Sequence, residues 1–176
     1  MKESLELEKL AALQVASLMA AAARTAPKTR GIDNIRVVAL DDDASRAKLL
    51  GKMQEIGKTE NRPSFTRDAN CIAACPAIVV IGVEDNPSGL NCGFCGHTAC
   101  AELNADHGVC AFNTVDLGIA ASSAASVAAD ARVDTRLMFS IGKAALALSL
   151  FGPKVRQALG IPLSITGKSP FFDRKA

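Results

Sequence analysis

The most constraining stretch of the chain is Ala77-Ile-Val-Val-Ile-Gly-Val83, which carries no polar side chain. Such a β-branched run, opened by Pro76 and closed by Glu84, reads as a strand buried on both faces. A second strand is expected over Ile35–Leu40, with Val37 and Val38 at its centre. Helices should flank the sheet these strands build. The first spans residues 3–24, where Leu7, Leu10, Leu18 and Ala22 fall near one face at helical steps. It is rich in Ala, the best helix former. Thr25-Ala26-Pro27 ends it, because the residue before proline avoids helical geometry. Asp41-Asp42-Asp43 offers an N-cap for a second helix through Leu49, Leu50 and Met53.

Further along, residues 57–64 read as polar loop and 65–75 as a short helix. Asn113 to Ala131 is a long helix of Ala, Ser and Gly, which something can approach closely. Arg136 to Ile141 suits a strand, 142–150 and 153–159 suit helices, and Ile161 to Ile165 suits a last strand. No internal repeat or linker interrupts this order. The expectation is one α+β domain over residues 1–176, a sheet flanked by helices, with residues 84–110 as an inserted cysteine-rich loop.

Composition narrows the function classes. Hydrophobic residues make up 49% of the 176-residue chain, enough for a real core, but aromatic residues are only 4%, with no Trp or Tyr. The formal charge of +2 is too small to argue for nucleic acid or a membrane surface. The apolar stretch Leu10 to Ala23 follows Glu3, Glu6 and Glu8, the wrong charge for a secretory signal. No apolar run approaches the ~18 residues of a membrane span. A cytoplasmic protein is expected, and there six cysteines point to metal or redox work rather than disulfides.

Four of those cysteines, Cys92, Cys95, Cys100 and Cys110, form the pattern C-x2-C-x4-C-x9-C in a segment rich in Gly, Asn and Asp. A Cys-x-x-Cys pair places two thiolates on one side of a tight turn. Gly93 and Gly96 let the backbone fold round a metal centre and leave amides free to donate to sulfur. Four thiolates complete the ligation of a [4Fe–4S] or [2Fe–2S] cluster. Structural zinc, held by four Cys or with His97 replacing one, competes with that reading, although zinc usually takes two short-spaced pairs. A thiol–disulfide centre at Cys92 and Cys95 would leave Cys100 and Cys110 without a role. Ordinary buried thiols do not suit a polar, Gly-rich loop. His97 and His107 could ligate or tune a metal or be plain loop residues, and Phe94 is expected to shield the centre. Cys71 and Cys75, at the start of the buried strand, suit core packing better than a second thiol site. Asp116 and Asp130 suit capping roles. No Ser/His/Asp triad, phosphate-cradling glycine loop or paired carboxylates stand out.

Cys92-Gly-Phe-Cys95-Gly-His-Thr-Ala-Cys100 resembles the small [4Fe–4S] domain of corrinoid iron–sulfur proteins and electron-transport complex subunits. The whole chain resembles a prokaryotic family described as ferredoxin-domain-containing proteins, a description that supplies no activity. The residues carrying this are 24–33, 91–96, Ala111-Phe-Asn-Thr-Val-Asp-Leu-Gly118 and Gly160-Ile-Pro-Leu-Ser-Ile-Thr-Gly-Lys-Ser-Pro-Phe-Phe-Asp-Arg174. The order of elements outside the loop is similar to flavin-dependent nitroreductases: an Ala26-Pro27 loop, a strand, the small-residue helix with Asp116-Leu-Gly-Ile-Ala-Ala121, and a Gly160-Ile-Pro162 strand with a basic tail. This resemblance implies FMN at a homodimer interface, its phosphate met by Arg24, Lys28, Arg30, Lys168 and Arg174. Met1 to Ala23 contains no Arg, unlike the Arg-rich start usual there. The implied function is an oxidoreductase passing electrons between the cluster and a flavin or small substrate. The alternatives are a non-catalytic electron carrier or redox sensor, with or without a partner protein, and a zinc-stapled structural protein.

Overall fold

The computed structural model describes residues 1–171. In chain order it contains α1 (Ser4–Thr25), a 3₁₀ turn (Thr29–Gly31), β1 (Ile35–Leu40), α2 (Asp43–Thr59), α3 (Pro63–Ile72) and β2 (Ala77–Glu84). There follow α4 (Cys100–Ala105), α5 (Ala111–Asp130), β3 (Asp134–Thr135), α6 (Phe139–Ala147) and β4 (Val155–Ser164). The four strands form one antiparallel sheet in the order β1-β2-β4-β3.

β2 lies inside this sheet and is buried along Ala77–Val83, as its composition demands. Its side chains alternate between two cores, as a pleated strand requires. Ala77, Val79, Ile81 and Val83 join the core under α1 and α5, whereas Ile78 and Val80 join the core under α2, α3 and α6. The fold is therefore an α+β sheet flanked by helices on both faces.

Three expectations are corrected. Residues 153–159 are not helical. Lys154, Arg156, Gln157 and Ala158 are fair helix formers, but β2 needs a hydrogen-bonding partner along its whole length. β4 supplies it from Gln157 opposite Val83 to Leu163 opposite Ala77. The strand expected over 136–141 is confined to Asp134–Thr135, with a single bridge from Met138 to Gly160, and α6 starts at Phe139. The expected polar loop at 57–64 shrinks: α2 continues to Thr59, and Pro63 opens α3 at its first position, where proline is tolerated.

The buried face of α1 also differs from expectation. Ala12, Val15, Ala16, Met19 and Ala23 are buried, while Leu7, Leu10 and Leu18 face outward. The reason is the partner. α1 packs on α5, whose Ala120, Ala121, Ala124 and Ala128 form the other half of the contact. Small residues on both helices let the backbones approach, and the Ser123 hydroxyl donates to the Ala22 carbonyl at 3.1 Å. The object approaching the small-residue helix is α1. Among the described residues no helix is long and apolar enough to cross a membrane.

Candidate metal and cofactor site

After β2, residues 85–99 run without helix or strand. The near end of this segment is fastened to the fold. The Asp85 amide donates to the Lys154 carbonyl at 2.8 Å, and the Asp85 carboxylate accepts from Arg156 at 2.8 Å. Arg156 also donates to the carbonyls of His107 and Gly108, so it ties both ends of the segment together. Arg30, held at a φ of 57°, donates to the Ser88 carbonyl at 2.8 Å.

The cysteine hairpin is built locally. Asn91, Gly93 and Gly96 all take positive φ, at 48°, 76° and 86°. A β-carbon placed on Gly93 or Gly96 would meet none of the described residues within 4 Å, so the turn requires these glycines for their backbone conformation rather than for space. The Gly96 amide closes the turn on the Gly93 carbonyl at 2.9 Å. The Asn91 carboxamide accepts from the Cys100 amide at 2.8 Å and joins the two ends of the hairpin. Glu102 accepts from the amides of Thr98 and Ala99, starting α4. Phe94 does not lie over a buried centre. It is 72% exposed and stacks on Phe112 with centroids 5.3 Å apart, setting the hairpin against the first turn of α5.

The thiols differ in setting. All six cysteines are free; Cys92 is exposed, Cys95 and Cys100 are half-buried, and Cys110 is buried. Cys110 immediately precedes α5 and its thiol meets the Ser88 hydroxyl at 4.0 Å. Burial pushes the Cys110 thiol up. The amides of Ser88, Asn113 and Phe112, with the Ser88 hydroxyl, outweigh that effect and hold it below the ordinary thiol value. Such N–H donors to sulfur accompany cysteine ligands of iron–sulfur centres. His97 Nε2 meets Asp106 at 3.0 Å, and its buried Nδ1 has no partner among the described residues. The donor chemistry thus fits a thiolate-bound centre. The donors are not yet gathered: among the described residues no three His, Cys, Asp or Glu side chains stand close enough to hold a metal ion.

Cys71 and Cys75 belong to the core under α2, α3 and α6. Cys71 donates to the Pro170 carbonyl at 2.8 Å. Burial, with Cys71 adding to it and Arg46 opposing, pushes the Cys75 thiol up to about 12.

The basic residues expected at a flavin phosphate are largely engaged within the fold. Lys28 is 6% exposed, and its ammonium caps the end of α1 on the carbonyls of Arg24 (2.5 Å) and Ala26 (2.8 Å). Arg24 donates to the Ile35 carbonyl at 2.7 Å and pairs with Asp33 at 3.0 Å. Arg30 holds Ser88, as above. Lys168 is exposed in the turn after β4, and Arg174 lies outside the described residues. Asp116 is buried and accepts from both the amide and the hydroxyl of Thr29, which fixes the turn that carries Arg30. Sequence reasoning missed the part played by Ser88; the turn-forming Pro87-Ser-Gly89 was the available signal.

Comparison with known proteins places this arrangement. Residues 106–174 match the family described as "Uncharacterized protein containing a ferredoxin domain (DUF2148)". That span includes Cys110 but not the other three cysteines of the loop. A protein of Archaeoglobus fulgidus, described as an uncharacterized protein, is 41% identical over 175 residues, covering 94% of this chain and 91% of its own. The chain belongs to this ferredoxin-domain family. Its fold is the nitroreductase fold. A nitroreductase with bound FMN from Desulfitobacterium hafniense superposes with a TM-score of 0.63 at 13% identity, covering 96% of this chain and 80% of that one. A nitroreductase with bound FMN from Bacteroides fragilis gives 0.61 at 11% identity, covering 93% and 82%. A nitroreductase family protein from Clostridium novyi gives 0.61 at 14% identity, covering 86% and 73%. At these identities the likeness carries the fold. The family description names a ferredoxin domain and no activity.

Proposed function

We propose that this member of the ferredoxin-domain family is an iron–sulfur redox protein whose [4Fe–4S] cluster is held by Cys92, Cys95, Cys100 and Cys110. The observation that carries this reading is Cys110, a buried free thiol that meets the Ser88 hydroxyl at the end of a loop bearing three more free thiols. A bound cluster supplies one-electron transfer, at a potential set by hydrogen bonds and burial. The residues of the chain do the rest. The amides of Ser88, Phe112 and Asn113 stabilise sulfur charge, Arg30 and Arg156 hold the loop ends, and Gly93 and Gly96 shape the turn. Free cysteines throughout suit the reducing cytoplasm.

In the fuller form of the reading the protein is an oxidoreductase that passes electrons between the cluster and FMN or a small substrate, as a homodimer. The solved nitroreductases with bound FMN support it. Of the expected phosphate contacts among the described residues, Arg24, Arg30 and Lys168 are exposed, and the Lys28 side chain is buried. A second reading, a non-catalytic electron carrier or sensor serving a redox partner protein, is favoured by the engagement of Lys28 with helix-end carbonyls.

Purification without oxygen, followed by iron, sulfide, zinc and flavin quantitation with an absorption spectrum, tests both readings. About four iron and four sulfide per chain are expected for this cluster type. Zinc without sulfide would overturn the redox reading in favour of a structural centre. Cluster-loaded protein that neither carries nor binds FMN would leave the carrier reading.

A further inference from the structure

α1 presents an apolar outer face that none of the described residues covers. Leu7, Leu10 and Leu18 are 52%, 43% and 52% exposed. Ala11, Gln14 and Ala21, also exposed, complete the strip. At 3.6 residues per turn these positions lie opposite the buried Ala12, Val15, Ala16 and Met19. The row is thus not the margin of the intramolecular contact.

The strip is symmetric about its centre. Leu10 and Leu18 each stand four residues from Gln14, and Leu7 and Ala21 each stand seven. The charges are not symmetric. Glu3 and Glu6 lie on this side at the start of the helix and Arg24 at its end, with Lys2 paired to Glu6 and Arg24 to Asp33. Two copies crossing in opposite directions would set Leu10 against Leu18 in both contacts. They would also bring Arg24 of each copy beside Glu3 and Glu6 of the other. A parallel crossing would place like charges together.

We propose that α1 is a self-association surface, pairing antiparallel with α1 of a second copy about a two-fold axis at Gln14. A two-fold contact is isologous, so one self-complementary strip suffices. The pairing gives a face to the homodimer of the preceding reading and rests on it. Stable complexes bury about 1,200–2,000 Å². One helix pair is a small contact, so the association should depend on concentration.

The test is sedimentation velocity of the full chain from about 1 to 100 μM, a range suited to weak, transient interfaces, with oxidative cross-linking of cysteine variants. Gln14→Cys should cross-link to itself beyond the level of the parent protein. Leu10→Cys alone should not, because the two copies of that residue stand eight positions apart along the paired helices, about 12 Å. A mixture of Leu10→Cys and Leu18→Cys should cross-link. The double variant Leu10→Glu/Leu18→Glu, changed only at exposed positions, should weaken association at least about tenfold. A parent protein that is monomeric throughout would overturn both the pairing and the homodimer reading. A dimer that survives the double substitution and shows no Gln14→Cys cross-link would overturn the α1 face and leave the homodimer reading standing.

Discussion

Gly142 lies directly against the backbone of Ala158: a β-carbon placed on it would stand 1.8 Å from the Ala158 carbonyl oxygen. This contact sets the height of α6 above β4. Gly142→Ala gains helix propensity, worth about 1 kcal/mol. It must also lift α6 from the strand, and overpacking of this kind costs about 1–3 kcal/mol or more. The net change should be a loss of stability in urea unfolding. Gly51→Ala in α2, where an added β-carbon meets nothing within 4 Å, is the control and should be neutral or stabilising. Equal stability of Gly142→Ala and parent would contradict this packing.

Asp116 should be a stability residue as well as a neighbour of the loop. Its carboxylate takes the Thr29 amide at 3.0 Å and the Thr29 hydroxyl at 2.9 Å in a buried setting. Asp116→Ala leaves that amide without its partner and should cost about 1.5–3 kcal/mol, the range for hydrogen bonds to charged groups. Thr29→Val keeps the amide bond and should cost less. Chemical denaturation of the two variants decides the order.

The cysteines should divide by reactivity. With its thiol pushed up to about 12, Cys75 stays protonated at ordinary pH and is also buried. In folded, cluster-free protein, iodoacetamide at pH ~8, near the unperturbed thiol value, should label the exposed Cys92 first and leave Cys75 untouched. Peptide mass spectrometry reads this directly. Early labelling of Cys75 would mean that the core under α3 opens readily.

One pH dependence follows from the start of α2. The Asp42 side chain accepts from the Ser45 amide at 2.8 Å, and hydrogen bonding from the Ser45 hydroxyl, then from its amide, holds the carboxyl below the ordinary value. A depressed carboxylate contributes stability that is complete above the unfolded value, about 3.9. The contribution fades as the pH falls through the lower native value. Asp42→Asn keeps the cap but removes the charge. The parent should therefore melt above the variant at neutral pH, with the gap closing in acid. A gap that widens in acid would refute the assignment.

Much of this architecture was legible in the sequence because local and global signals agreed. Ala77–Val83 has to be an interior strand in any arrangement, and Thr25-Ala26-Pro27 has to end a helix. β4 was misread because the preferences of Lys154 to Leu159 are local, whereas the demand of β2 for a partner is not. The leucines of α1 were assigned inward because size suggested burial, but two alanine-lined helices bury each other through their small faces. At the loop, spacing alone singled out Cys92, Cys95, Cys100 and Cys110. The role of Arg30 was hidden because the Ser88 carbonyl it binds is 58 residues away. Lys28, by contrast, binds carbonyls of Arg24 and Ala26 close by in the chain, a helix-end capping signal the sequence did carry.

The cysteine hairpin belongs to neither core and is tied to the rest of the fold by polar anchors at Asp85, Asn86 and Ser88 and by the ring of Phe112. Stripping or oxidising whatever those sulfurs carry would disorder a surface feature and spare the scaffold.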